Sequence, residues 1–416
     1  MTGGPKRASR RGGAYLLVLA CVMSTTVLCA GGLALSRAHQ RAAADLANVE
    51  EARNLARAGV ELGLHMIRTE TDWRTARTSG AWVTGRALGR GTIDVRVQDP
   101  DGSFTDDLND SVEVTGIGTV GRTRQIVRVT LDPLHQPIDS LGTAMASAGS
   151  ITVGLLASAT ANQVITSNNA ITAVTASVHA PVEAAGLATG LTFFQSAKSL
   201  QPTRTIPNAG EVIAAYSAIG TTISINSIPS NRIENIVLGP GINPYGAADP
   251  RGIYIIDCKT KDITLRNCRI VGTLVLANLD KEAIIDGPVS MQAYEPGMPA
   301  LVASKDIKTK ADGSALSEVS SGLNFNPFGL GVGLQMDADL VDTYPSRIQG
   351  LVYAGRNFEN TGTLTVEGTV IVVGSVAISG SASIQYNSTV MAKPPPGFRA
   401  EPVMRIRPGS WRRGTE

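Results

Sequence analysis

The chain has 416 residues, a formal net charge of +2, 17% charged residues and 4% aromatic ones. That length exceeds one ordinary domain, and a near-neutral balance with scattered basic residues excludes the basic footprint of a nucleic-acid binder. The histidines His39, His65, His135 and His179 show no paired ligand spacing, so no zinc centre is expected, and no cofactor is implied.

Residues 1–13 form a basic leader carrying Lys6, Arg7, Arg10 and Arg11, and residues 13–35 contain no charge. As a helix this run reaches roughly 35 Å, against a hydrocarbon core of about 30 Å. It is longer than the apolar segment of a cleavable signal, which runs roughly 7 to 15 residues. The basic flank before it and the first acidic residue at Asp45 place the N-terminus in the cytoplasm and the bulk of the chain outside, as a single-pass protein of the inner membrane. Arg10-Arg11 lacks the bulky residues of a twin-arginine signal, and Cys21 comes too early in the run for a lipoprotein site.

Residues 36–68 contain no proline and are rich in Ala, Leu, Arg and Glu, so the helix is expected to continue without a break over 14–70. Ala52, Ala56, Gly59 and Gly63 recur at spacings of three and four on one face. Such a face admits a second backbone at close range; it serves either another subunit's helix or the protein's own globular part.

Arg11-Gly12-Gly13-Ala14-Tyr15-Leu16-Leu17 and the later run from Glu51-Ala52-Arg53 through Ala58-Gly59-Val60-Glu61 together resemble the minor pilin PilX N-terminal family and the K-type minor pseudopilins of type II secretion. The resemblance covers about the first 130 residues. It implies processing by a prepilin peptidase after Gly12 or Gly13, so Gly12, Gly13 and Ala14 are the candidate processing residues. It also implies other pilin or pseudopilin subunits as partners. Most major pilins carry a glutamate five residues past the cut; Leu17 or Val18 stands there in this chain. K-type pseudopilins lack that glutamate too, so a tip or accessory subunit is implied.

Between 71 and 135 the periodicity changes from helical to alternating. Strands are expected at 91–98, from Val112 through Gly116, and at 125–131, joined by turn residues such as Asp99-Pro100-Asp101-Gly102 and Gly121. The expected unit is a small antiparallel sheet against the long helix, an α+β arrangement similar to a pilin headpiece. Asp99, Asp101, Asp106, Asp107 and Asp110 crowd the connection between the first two strands. Hard cations collect carboxylate oxygens from such loops, but an EF-hand's order and closing glutamate are missing, so a solvated loop is expected and no metal is assigned.

From 138 to 390 the composition turns to Ala, Gly, Ser, Thr, Ile and Val in strands of three to five residues with tight corners. This pattern suits a right-handed parallel β-helix better than a β-sandwich, which favours longer strands and regular hairpins. Residues 240–250 and 312–336 read as loops leaving the stack, and the alanine-rich stretches 144–160 and 170–185 are its faintest coils.

The stretch from Asp257-Cys258 to Asn267-Cys268 resembles the coils of pectate-lyase-like β-helices, which implies a carboxylate cluster beside a basic residue. Asp257, Asp262, Lys259, Lys261, Arg266 and Arg269 supply the residue types, but their spacing gives no legible site. Neither a Gly-x-Ser-x-Gly elbow nor a phosphate-binding loop occurs, so no catalytic residues are assigned and no enzyme is expected. Cys258 and Cys268 form a disulfide or stack as buried thiols; spacing leaves both open. Residues 391–416 read as a proline-rich basic tail. The expected function is a structural, membrane-anchored minor pilin-like component displaying a β-helical module for surface contact, with surface polysaccharide as one partner. An anchored carbohydrate-active enzyme and a plain envelope adhesion protein are the alternatives.

Overall fold

The computed structural model describes residues 11–190 and 195–414. Lys6, Arg7 and Arg10 of the leader lie outside the described residues. The chain divides into two compact units, Met1–Leu134 with Pro402–Glu416, and His135–Glu401.

The first unit is built on α1 (Arg11–Thr69), which runs unbroken from the apolar segment into the amphipathic one. Residues 13–47 are exposed along it, and the helix is long and apolar enough to cross a membrane. Beyond them the helix docks on an antiparallel sheet of β1 (Gly80–Leu88), β2 (Gly91–Gln98), β3 (Val112–Val120) and β4 (Thr123–Leu134), in that spatial order. Ala56, Val60, Leu64 and Ile67 pack against Val95, Val97, Val112, Val114 and Val129. Each fully buried Val, Leu or Ile among them contributes about 1.5–3 kcal/mol.

The small-residue face has its partner within this unit. A Cβ added to Gly116 on β3 would lie 2.0 Å from the Ala56 carbonyl oxygen, and one on Gly118 would lie 2.0 Å from that of Ala52. Helix and sheet backbones therefore touch where those residues sit, and the face is closed to a second helix. Sequence located β2 to β4 but not β1. The reason is physical: β1 carries two register irregularities against β2 and has no fully buried row, so it shows no clean period of two.

The free edge of β4 pairs with Val403–Ile406 and with Arg412–Gly414. The latter part of the 391–416 stretch thus extends this sheet, fastened by Arg407, whose guanidinium donates to the Asp132 carboxylate at 2.7 and 2.9 Å. Its earlier part belongs to the second unit, where Phe398 is buried edge-on against Tyr353.

The second unit is a parallel β-solenoid. One turn runs through the strands Thr363–Val372, which bends around a corner, and Val376–Ile378; Ser381–Gln385 opens the next, with Val366 of one turn beside Ile384 of the next. The turns do not stack in chain order. Met145–Ser147, Ile151–Val153 and Ser158–Ala161 pair on one side with the turn that follows them and on the other with the final turn, at 370–372, 376–378 and 381–384. From that final turn the stack continues backwards through Arg347–Ala354, Pro299–Ala303, Thr273–Ile285 and Ile253–Val271 to Arg232–Leu238 and Thr221–Ser224.

The chain travels between the two extremities of the stack through residues 199–220. The Ala209–Ser217 helix on this path is capped by Asn208, whose side chain accepts the Gly210 N–H at 2.7 Å. Its Val212 and Tyr216 cover an apolar sheet face made of Ile253, Val275, Val302, Tyr353 and Ile371. The faint coils at 144–160 and 170–185 are real turns, and 240–250 and 312–336 do lie in excursions from the stack.

Candidate functional site

A solenoid turn presents each alternate side chain outward, so a stack of turns makes rows. On the side carrying Ile151–Val153 the outward row reads Glu359, Ala377, Thr152, Thr172, Thr189 in register. The neighbouring side carries Thr363, Ser381, Ser158 and Ser177 in register, with Thr365, Ser383, Thr160 and His179 beside them. These rows are free of Lys, Arg, Asp and Glu over the turns between 145 and 190; Glu183 stands on the third side, in register with Thr166. They offer hydroxyl donors and acceptors at the spacing of adjacent strands, about 4.8 Å.

Towards the middle of the stack the same face becomes charged. Lys308 donates to both Glu359 carboxylate oxygens at 2.8 Å, and Arg356 clasps Asp306 at 2.6 and 2.7 Å. Burial pushes the Asp306 carboxyl up, but the Arg356 hydrogen bonds and charge outweigh it and hold the group below the ordinary range. Asp306, Lys308 and Glu359 line a cleft of about 390 Å³ together with Ser150 and Thr152.

The residues singled out for polysaccharide chemistry do not converge. Asp257 accepts the Lys259 N–H and the Asn278 side-chain amide, while Asp262 accepts the backbone N–H groups of Lys281 and Glu282. Both carboxylates thus serve their own corners. Arg266 lies beside Glu234 at 3.7 Å. Arg269 is buried beneath the 312–346 excursion, donating to the Phe325 carbonyl and standing 4.1 Å over the Tyr344 ring.

Cys258 and Cys268 are free thiols, so the disulfide is not formed. The geometry explains this: Cys258 follows the strand edge that pairs with Ala277, whereas Cys268 pairs with Ile236 and Val289 on another side of the turn. Burial pushes both thiols up to about 12, which keeps them protonated and inert. Gly12, Gly13 and Ala14 occupy the first turns of α1.

Among the described residues, two acidic groups bring carboxylate oxygens within 4.8 Å of one another: Asp99, Asp101 and Asp110, and Glu318, Asp339 and Asp342. The second is internally satisfied at its buried member. Glu318 accepts the Phe325 and Asp342 N–H groups at 2.6 and 3.0 Å, and the Asn326 amide donates to Asp337 and Asp342. Those bonds close the excursion over its small apolar cluster of Leu316, Phe325 and Leu330.

The first group is different. Asp99 is 6% exposed, its Oδ1 receives the Asp101 N–H at 3.4 Å, and its Oδ2 is buried with no donor. Burial first, and the facing Asp101 carboxyl second, push Asp99 up to about 6. Asp110 is raised as well, by burial and by Asp107, Asp101 and Asp106. Arg74 braces the same loop by donating to the Phe104 and Leu108 carbonyls. The aspartates were visible in sequence, but their convergence was not, because it depends on the loop folding back over Trp73 and Trp82 through Phe104.

No family model matches the chain, and no curated protein matches it. Among solved structures, the competence-associated pilin ComZ from Thermus thermophilus is similar at 12% identity and TM-score 0.34, covering 89% of this chain and 98% of that one. An ice binding protein from an Antarctic Biological Consortium is similar at 9% identity and TM-score 0.29, over 61% of this chain and 92% of that one. The DUF3494 domain of Shewanella frigidimarina ice-binding protein_1 is similar at 11% identity and TM-score 0.31, over 61% and 98%.

Proposed function

We propose that the chain is a single-pass minor pilin or pseudopilin-like subunit of a type IV pilus or type II secretion system, anchored with its N-terminus in the cytoplasm and carrying its solenoid outside as a non-catalytic surface module. One observation supports this reading above the others: a single unbroken helix whose first part is exposed, apolar and long enough to span, and whose second part is locked by Ala52 and Ala56 onto an antiparallel sheet. In such a subunit the exposed segment does the assembling. It partitions into the bilayer first and then packs among neighbouring apolar helices, while the second segment stays fixed to the antiparallel sheet.

The role of the solenoid in this reading is contact. Its outward hydroxyl rows and ion-paired cleft offer neutral hydrogen bonding and local charge, suited to a polysaccharide or another envelope surface.

Mass spectrometry of the mature N-terminus tests the proposal. A chain beginning at Gly13 or Ala14 is the expected result. A chain beginning at Met1 or Thr2, or after Ala30 or Ala34, overturns it.

A further inference from the structure

We propose that the recess between loop 295–298 and segment 393–399 of the solenoid unit binds the carboxylate of an acidic saccharide through Lys393 and Arg399, and that an adjoining recess along the same loop holds the next sugar. The first recess has a volume of about 450 Å³ and is lined by Arg251, Glu295, Lys393, Arg399 and the prolines between the last two. Its charges do not cancel. The Arg251 guanidinium is engaged by Glu295, donating to both carboxylate oxygens at 2.8 and 3.0 Å, and these bonds hold the Glu295 carboxyl below its ordinary range. Arg399 donates its Nε–H to the Pro394 carbonyl at 3.0 Å, which leaves its Nη groups, and no carboxylate among the described residues pairs with it or with Lys393. Two cations lining one recess repel each other, and an anion entering between them relieves that repulsion in a concave site that concentrates the field.

The walls are set before any ligand arrives. Pro394, Pro395 and Pro396 have fixed φ angles and no N–H of their own. The segment is pinned by the Ala400 N–H, which donates to the Gln136 carbonyl at 2.8 Å, and by Phe398, buried against Tyr353. Gly297 lies directly on it: an added Cβ would stand 2.4 Å from the Lys393 carbonyl oxygen. A site already rigid loses little entropy when it is filled.

The second recess, about 230 Å³, shares residues 295–298 with the first and is lined further by Gln292, Gln349, Asn387 and Thr389. Gln349 donates to the Glu367 carboxylate at 2.7 Å, so its carbonyl oxygen remains to accept. The Asn387 carbonyl oxygen accepts from Thr389, so its amide remains to donate. Neutral donors and acceptors beside one another match sugar hydroxyls, whereas an acidic peptide brings no neighbouring hydroxyls to these amides. The inference rests on reading the solenoid as a contact module, and gives that contact a place and a chemistry separate from the hydroxyl rows.

Calorimetric titration of the full chain in detergent with alginate oligosaccharides, whose rings each carry a carboxylate, tests it. Binding is expected, weakened about tenfold or more by Lys393→Gln, by Arg399→Gln, or by reducing the oligosaccharide carboxyls to alcohols. Gln292→Ala is expected to weaken the unmodified and the reduced oligosaccharide by the same factor, about threefold, because its amide meets hydroxyls present in both. Arg356→Gln, in the ion-paired cleft, is expected to leave the titration unchanged. The Lys393 side chain is exposed, so Lys393→Gln keeps the fold and decides alone should Arg399→Gln loosen the proline segment. Binding undiminished in Lys393→Gln overturns the site while leaving the solenoid a contact role elsewhere. Equal binding of poly-glutamate overturns the saccharide in favour of an acidic peptide, and absence of carboxylate-dependent binding overturns the proposal outright. The mature N-terminus bears only on the anchor, so the two proposals fail separately.

Discussion

Between Ile253 and Thr309 the solenoid interior is filled mainly by large aliphatics such as Ile256, Ile263, Leu265, Leu274, Leu276, Leu301 and Ile307, whereas between 144 and 184 Ile151, Val153, Ile165 and Ile171 alternate with Ala157, Ala159, Ala161, Ala173, Ala176, Ala180 and Ala184. The exteriors differ in parallel. The aliphatic turns and those beside them carry ion pairs such as Lys308 with Glu359, Arg356 with Asp306 and Arg266 with Glu234, while the alanine turns carry hydroxyl rows. The parallel ladder is the same in both. At about 0.8 kcal/mol per buried methylene, the alanine turns gain less from their interiors and lean more on backbone pairing and on their aliphatic neighbours. A solenoid therefore tolerates very different fillings on one backbone ladder, and even within one inward column, as where Leu276 stacks on Ala303.

The sharpest way to break this comparison is to empty one interior and overfill the other. Leu276 is fully buried between Ile256 and Ala303, and Leu276→Ala is expected to cost about 3 kcal/mol, within the 2–5 kcal/mol usual for buried leucine. Urea unfolding of the full chain in detergent measures it, and a loss below about 1 kcal/mol would mean the aliphatic turns collapse around the gap. Ala159 lies between Ala382 and Val178 with 2% exposure. Ala159→Leu adds volume at a buried position and is expected to cost about 2 kcal/mol, in the 1–3 kcal/mol range of overpacked cores. A neutral or stabilising Ala159→Leu would show that the alanine turns are loosely filled rather than closely matched.

The same contrast explains how much was legible in the sequence. Runs such as Tyr254-Ile255-Ile256 and Thr273-Leu274-Val275-Leu276 announce strands by composition, and they are strands. The alanine turns carry the same period in Ile151, Val153, Ala159 and Ala161, but alanine's weak apolar contrast with Ser and Thr blurs it. The stacking order was not legible at all. Each strand shows an inward row and two bare edges, and nothing local tells Met145 that its partner is Val370 rather than a residue of the next turn alone. Equally hidden was the owner of the small-residue face on α1, since Gly116 and Gly118 contact it across a long chain separation. At the acidic loop the residue types were plain, but the orphaned Asp99 oxygen is a product of tertiary burial.

On the outer faces the expected effects are smaller, and their order carries the comparison further. The Arg356–Asp306 pair is half-exposed on the arginine side and screened by solvent, so Arg356→Gln is expected to cost about 0.5–1 kcal/mol at neutral pH. Its pH dependence has a definite sign. Asp306 sits below its ordinary value of 3.8 in the folded chain, so its contribution is fully present above that value and fades as pH falls through the lower, folded one. Removing the arginine raises the folded value, and the difference between native and variant chains should narrow under acid. A difference that instead widens below pH 4 would show that Arg356 acts through packing of its stem and not through its charge.

Thr172→Val asks the matching question of the hydroxyl rows. Thr172 stands between Thr152 and Thr189, and its one side-chain contact in the row is with the Thr189 hydroxyl at 3.5 Å, the outer limit of a hydrogen bond. Valine keeps the β-branched shape that a strand favours and removes only the hydroxyl. The expected change in stability is therefore within about 0.5 kcal/mol, as for surface substitutions that break no defined feature. A larger loss would mean that the threonines form a ladder holding the alanine turns together. The expected near-zero effect would leave those hydroxyls free of any duty to the fold and available to whatever surface the solenoid meets.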